Sequence, residues 1–158
     1  MYFNRAGRAS AVYRMKVSRS ALLPFSAEQM FSLVDDVERY PAFLPWCSGT
    51  AVPRRDADTT CATLHINYRG IRQSFSTENR KQFPVRMTMH LVEGPFRSLD
   101  GEWRFTPLGD GACKIDFQLQ YEFSSKLLEK LVGPVFGYIA STMVDAFQKR
   151  AEQLYRNV

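Results

Sequence analysis

Between Ser48 and Phe123 apolar and polar residues alternate along the chain. Ala62, Leu64, Ile66 and Tyr68 interleave with Cys61, Thr63, His65 and Asn67; after an Arg69-Gly70 turn, Ile71, Gln73, Phe75 and Thr77 interleave with Arg72, Ser74, Ser76 and Glu78. The alternation resumes beyond Pro84 with Val85, Met87, Met89 and Leu91, and continues through Leu99, Gly101, Trp103 and Phe105. Past the Gly109-Asp110-Gly111 turn it ends with Cys113, Ile115, Phe117, Leu119, Tyr121 and Phe123. Side chains of a strand point to opposite faces in turn, so the pattern predicts consecutive antiparallel strands with one apolar and one wet face.

The flanks have a different period. Val17–Leu23 predicts a first strand, ended by Pro24. Ser26 with Gln29 three residues on is a capping-box pattern, and predicts a helix with Met30, Phe31 and Val34 on its apolar side. Asp36 is placed to cap a second short helix over Val37–Leu44, whose regularity Pro41 limits. After Ser124 or Ser125 as cap, Leu128, Val132, Val135, Ile139, Met143 and Phe147 recur at spacings of three and four, one apolar stripe along a long helix. Gly133-Pro134 should bend that helix. A one-faced sheet must cover its apolar face, and only the C-terminal helix is long enough to do so. The expected fold is therefore α+β: a curved antiparallel sheet of about six or seven strands around a long C-terminal helix, with two short helices after the first strand. One helix of about 10–12 Å diameter leaves part of such a sheet uncovered. The remainder must be filled by large side chains, by the short helices or by a ligand.

Charge changes the picture at one end only. The net charge is +5, and Arg5, Arg8, Arg14, Lys16 and Arg19, with no acid before Glu28, account for all of it. The rest of the chain is balanced, a poor match for a counterion-releasing nucleic-acid surface, and no specific DNA binding is expected. The 3 cysteines, Cys47, Cys61 and Cys113, lie far apart without metal-ligand spacing, so neither a disulfide framework nor a zinc site is expected and a reducing compartment is favoured. No run approaches the roughly 18 consecutive apolar residues of a membrane span, and no secretory signal is recognisable. Met1–Arg14 is expected to stand outside the domain, either as an extension or as residues ahead of a start at Met15; residues 15–158 would form one domain.

Candidate chemistry is sparse. His65 and His90, the 2 histidines, fall on the outer phase of their strands without a nucleophile or acid at triad spacing. Asp35 and Asp36 are adjacent, so they punctuate a helix rather than face each other. Cys47 has no cationic neighbour in sequence to activate it. The inward strand phases carry almost no titratable groups, so no catalysis, metal or cofactor is expected. The Pro-stiffened aromatic run from Tyr40 to Trp46 fits a binding lip or a plug for the core equally well.

Those residues carry a resemblance. Ser26–Cys47 (SAEQMFSLVDDVERYPAFLPWC), Leu91–Phe96 (LVEGPF), Leu99–Pro107 (LDGEWRFTP), Tyr121–Phe123 and Met143–Ala151 (MVDAFQKRA) resemble bacterial ribosome association toxin (RatA) proteins and the mitochondrial coenzyme Q-binding proteins of the START-like group. The resemblance spans Met15 to about Arg156 and leaves out Met1–Arg14. It implies a helix-grip fold around an apolar tunnel and no catalysis. For the mitochondrial branch it implies an apolar ligand such as the isoprenoid quinone ubiquinone. For the bacterial branch it implies binding to the large ribosomal subunit that blocks joining with the small one. On this expectation Tyr40, Phe43, Leu44 and Pro45 form one lip of the tunnel and Pro95 and Phe96 another. Trp103 and Phe117 line the sheet wall, and Val132, Phe136, Ile139 and Met143 the helix, with the hydroxyls of Tyr68 or Tyr121 orienting a quinone head. The expected role is a ubiquinone carrier supporting respiration, with the ribosome as the alternative partner. A cytoplasmic bacterial protein is expected, with peripheral contact at the inner membrane allowed.

Overall fold

The computed structural model describes residues 14–156; the expected N-terminal extension lies, but for Arg14, outside the described residues. The strands are β1 (Met15–Leu23), β2 (Cys47–Arg55), β3 (Thr59–Tyr68), β4 (Ile71–Gln82), β5 (Arg86–Glu93), β6 (Phe96–Pro107) and β7 (Cys113–Phe123). They form one 7-stranded sheet in the order β1-β7-β6-β5-β4-β3-β2, antiparallel throughout. From β2 to β7 the chain is a meander. β1 and β2 are opposite edges, so the segment between them must travel from one edge of the sheet to the other. Helix α1 (Ala27–Asp35) and a 3-10 helix (Val37–Ala42) make that crossing.

Helix α1 starts where the capping box puts it: Ser26 Oγ accepts from the Gln29 backbone N–H at 3.1 Å, and the Gln29 side chain accepts from the Ser26 N–H at 2.9 Å. Asp36 departs from expectation. Its side chain makes no capping bond and the following turn is 3-10, because Pro41 cannot extend an α-helical ladder. Val85 also departs. It lies in the turn after the cis Phe83–Pro84 bond and is exposed, so β5 starts only at Arg86.

Helix α2 (Lys126–Tyr155) is capped by Ser125, whose Oγ accepts from the Leu128 N–H at 3.1 Å, and runs unbroken through Pro134. By length and composition alone it is long and apolar enough to cross a membrane. Its apolar face is instead laid on β1, β4 and β7 and against α1. The buried residues are Val132, Phe136, Ile139, Ala140, Val144, Phe147 and Ala151. The stripe is thus rotated slightly from the expected one, with Val135 and Met143 half-buried at its margins.

The sheet offers α2 the phase the alternation predicted: Ala62, Leu64, Ile66, Phe75, Met87, Leu99, Trp103, Phe105, and every second residue from Cys113 to Phe123 are buried. Two ring clusters hold the helix. Phe136 meets Phe75, Phe96, Tyr121 and Phe123 at centroid distances of 5.7, 4.8, 4.8 and 6.2 Å. Three turns further on, Phe147 meets Tyr40, Phe43 and Trp103 at 5.4, 5.5 and 5.6 Å. Phe147→Ala is expected to destabilise the protein by about 3–5 kcal/mol in a urea titration, because a fully buried ring leaves a cavity. Leu22→Ala, at a position 70% exposed, should change it by less than about 0.5 kcal/mol.

Candidate functional site

The Tyr40–Trp46 run is held from three sides. Upstream, the Asp35 carboxylate accepts from Thr60 Oγ1 at 2.8 Å and from Lys81 Nζ at 3.0 Å, joining the end of α1 to β3 and β4. The Lys81 side chain is only 6% exposed, and a buried ammonium requires such a partner. Arg55 adds a bond to Glu38 and another to the Asp35 carbonyl. Within the run, the Tyr40 hydroxyl donates to the Val34 carbonyl, and burial pushes its pKa far up. Downstream, Leu44 N–H donates to Tyr40 C=O at 2.9 Å and Asn67 N–H to Trp46 C=O at 3.0 Å, tying the run to β3.

The second expected lip is the β5–β6 turn. Gly94 sits at φ +154°, and a Cβ there would lie 2.7 Å from Phe75 Cβ, so only glycine lets this turn close over the ring below it. Ser124 N–H donates to Pro95 C=O at 3.0 Å, which fixes Pro95 beside the start of α2 and Phe96 inside.

Most of the residues expected to line a tunnel come together between sheet and helix. Tyr40, Leu44, Phe96, Trp103, Phe117, Val132, Phe136 and Ile139 are all buried. Phe43 and Met143 are half-buried, Pro95 partly so, and Pro45 is exposed on the rim. Trp103 and Phe117 stand 4.4 Å apart, centroid to centroid. Three ring partners were not among the expected lining residues: Phe75, Phe123 and Phe147. Phe147 was already on the helical stripe, and Phe75 and Phe123 on inward strand phases, so the signal existed. Tyr121 is 1% exposed. Its hydroxyl faces α2 beside Gly137, where a Cβ would lie 3.9 Å away, and it has no hydrogen-bond partner among the described residues. Burial raises its pKa, so it stays a neutral donor at physiological pH. It is a polar handle in a mostly apolar wall. The other candidate, Tyr68, is half-buried at the margin of the core, stacked on Tyr138 at 5.7 Å.

Neither histidine of the described residues faces this core. His65 is bonded to Ser74 at 2.6 Å and His90 to Asp100 at 2.9 Å, both on the outer face of the sheet. The buried Glu122 is paired with Arg97 at 3.4 Å at the end of β7. Among the described residues no group of three or more His, Cys, Asp and Glu side chains gathers to hold a metal.

On the outside, a groove of about 320 Å³ runs between the Phe43–Trp46 segment and the outer face of α2, bounded by Tyr138, Asp145, Lys149 and Arg150. A pocket of about 420 Å³ lies at the Asp35–Lys81 pair, walled by Phe31 and Phe83.

Residues 23–148 match the family model described as polyketide cyclase / dehydrase and lipid transport. The chain is 49% identical over 140 residues to the "Ribosome association toxin RatA" of Vibrio cholerae, covering 89% of this chain and 97% of that one. It is 44% identical over 140 residues to the RatA of Escherichia coli K12, with 89% of each covered. The "Coenzyme Q-binding protein COQ10 homolog B, mitochondrial" of Xenopus laevis is 31% identical over 159 residues, covering 98% of this chain and 65% of that one. Among solved structures, a START superfamily protein from Mycobacterium smegmatis superposes with a TM-score of 0.69 at 23% identity, covering 88% of this chain and 98% of that one. The Zhui aromatase/cyclase of a Streptomyces species does so with 0.73 at 14% identity, covering 89% and 94%. At these identities the two structures establish a common fold.

The thiols test the packing of the site. Desolvation pushes the Cys47 and Cys113 thiols up, and both are buried, whereas Cys61 lies half-buried on the outer phase of β3. An aromatic disulfide reagent at neutral pH should therefore modify Cys61 first, and Cys47 and Cys113 only at the rate of unfolding. Rapid modification of Cys47 would show that the lip opens in the native state.

Proposed function

The chain belongs to the polyketide cyclase / dehydrase and lipid transport family, and we propose that it acts by binding rather than catalysis, its partner being the ribosome. The observation that carries this reading is the similarity to ribosome association toxins at 49% and 44% identity, extending over 89% of the chain. It takes in the Ser26–Cys47 segment, a ledge that hydrogen bonds tie to β3 and β4. On the resemblance set out above, the protein sits on the large subunit and prevents the small one from joining. A cytoplasmic place of action follows from that partner. The chemistry of the core agrees: its wall is mostly rings and aliphatic groups, and the phenol of Tyr121 offers it a polar handle.

That handle favours a second role compatible with the first. The Tyr121 hydroxyl bonds no other described residue, and a carbonyl such as that of an isoprenoid quinone would accept from it. The surrounding rings would receive the apolar tail at about 25 cal/mol per Å² buried.

Added to ribosomal subunits under conditions that favour joining, the purified protein should raise the free-subunit peaks of a sucrose gradient at the expense of joined ribosomes. An unaltered profile at saturating protein would remove the ribosome reading. Independently, mass spectrometry of organic extracts should find a quinone, and Tyr121→Phe should weaken uptake of added ubiquinone by about two- to tenfold, the worth of one hydrogen bond. Equal uptake by wild type and variant would deny the hydroxyl its role.

A further inference from the structure

The groove beside the Phe43–Trp46 ledge lies outside the ring-lined core, and its surface chemistry points to a particular partner. The geometry points to this strip as a single-stranded RNA contact, with bases stacking on Tyr138 and phosphates held by Arg150, Lys149 and Arg69. The inference deepens the ribosome reading and rests on it for the source of the RNA.

A group of rings and cations stands at each end of the strip. At one end Arg69, on the β3–β4 turn, lies 5.2 Å over the Tyr68 ring. Tyr68 stacks on Tyr138 at 5.7 Å with planes only 7° apart, and Tyr138 is 46% exposed. At the other end the Arg150 guanidinium lies 5.1 Å over the half-buried Phe43 ring, with Lys149 beside it in sequence and in the groove. Tyr138 and Arg150 are about 18 Å apart along α2, at 1.5 Å per residue. Stacked rings flanked by cations are what a single strand requires: every base has a face to stack, and every nucleotide carries a phosphate.

The cations of the strip are open to a phosphate. Lys149 and Arg69 have no carboxylate partner among the described residues. Arg150 reaches only the Gln153 side-chain oxygen, at 3.4 Å, and its Nε is buried without any partner. Asp145 is the acid that lines the groove, so the local balance is positive although the folded body is neutral. A lipid surface would call for a continuous apolar face. The exposed Leu127 and Leu131 are towards the other end of α2, while Thr142, Asp145 and Gln153 interrupt the strip with polar groups.

The test is fluorescence anisotropy with a labelled, unstructured single-stranded RNA, using the full chain. Wild type should bind with an affinity that falls as salt rises. Tyr138→Ala, at an exposed position, and Lys149→Glu should each weaken binding by about tenfold. Lys149→Glu should also flatten the salt slope by about one. Lys114→Glu, on the outer face of the sheet, should leave binding unchanged, and circular dichroism melts verify that all variants fold. Absent binding by wild type would overturn the inference, as would full binding by both strip variants or binding that disappears only when residues 1–13 are removed. Capture by anionic vesicles that Tyr138→Ala abolishes while RNA affinity is unchanged would also overturn it. Ribosome profiles separate the two failures. If both strip variants still divert subunits as wild type does, the strip is not the contact and this inference falls, while the ribosome reading stands. If wild type binds RNA through the strip yet diverts no subunits, the inference holds and the ribosome reading falls.

Discussion

The packing of α2 against the ring wall of the sheet is the constraint on which the rest depends. Phe136 and Phe147 are eleven residues apart, close to three full turns, so both rings leave the helix on one side. Phe136 enters the Phe75, Phe96, Tyr121 and Phe123 cluster, and Phe147 the Tyr40, Phe43 and Trp103 cluster. The second contact matters most for function. Through Phe147 the helix, the sheet wall and the ledge become one packed unit, and the ledge owes its position to the same ring that anchors the helix. A binding surface built on such a support is presented without the ordering cost of a mobile loop.

A second constraint is topological. Because β1 and β2 are opposite edges of the sheet, the connection between them crosses from one edge to the other, and its end must be secured before β2 can pair. Asp35 provides that fixture through Thr60 and Lys81, one on each of two neighbouring strands. This explains why two acids sit at the end of a short helix without any catalytic partner. Asp35 holds a buried ammonium, and Asp36 begins the 3-10 turn without capping it by its side chain.

Much of this was legible beforehand, for identifiable reasons. Strand phase was legible because alternation is a local property, and from Cys113 to Tyr121 it holds without a break. It fails at Glu122, which is buried by pairing with Arg97 from the neighbouring strand. Thr77 and Asn79 are buried too, yet hydrogen-bonded to one another at 2.8 Å. The capping box was legible because its two bonds lie within three residues. The partners of Phe147 were not, since Tyr40 and Trp103 are far away in the chain and no local spacing pairs them. The groove was hidden for a similar reason. Lys149, Arg150 and Tyr138 read as an ordinary helix surface until the fold places Phe43 under the guanidinium and Tyr68 against Tyr138.

The ledge, the ring core and the cationic strip all lie along α2, where the proposed ribosomal partner would meet them together. Co-sedimentation with isolated ribosomal subunits tests that most directly, because it requires neither translation nor subunit joining. The purified chain should travel with the large subunit in near-equal molar amount and stay behind with the small one. If it remains at the top of the gradient with both, the central claim is wrong and the protein's work lies with the apolar ligand of its core.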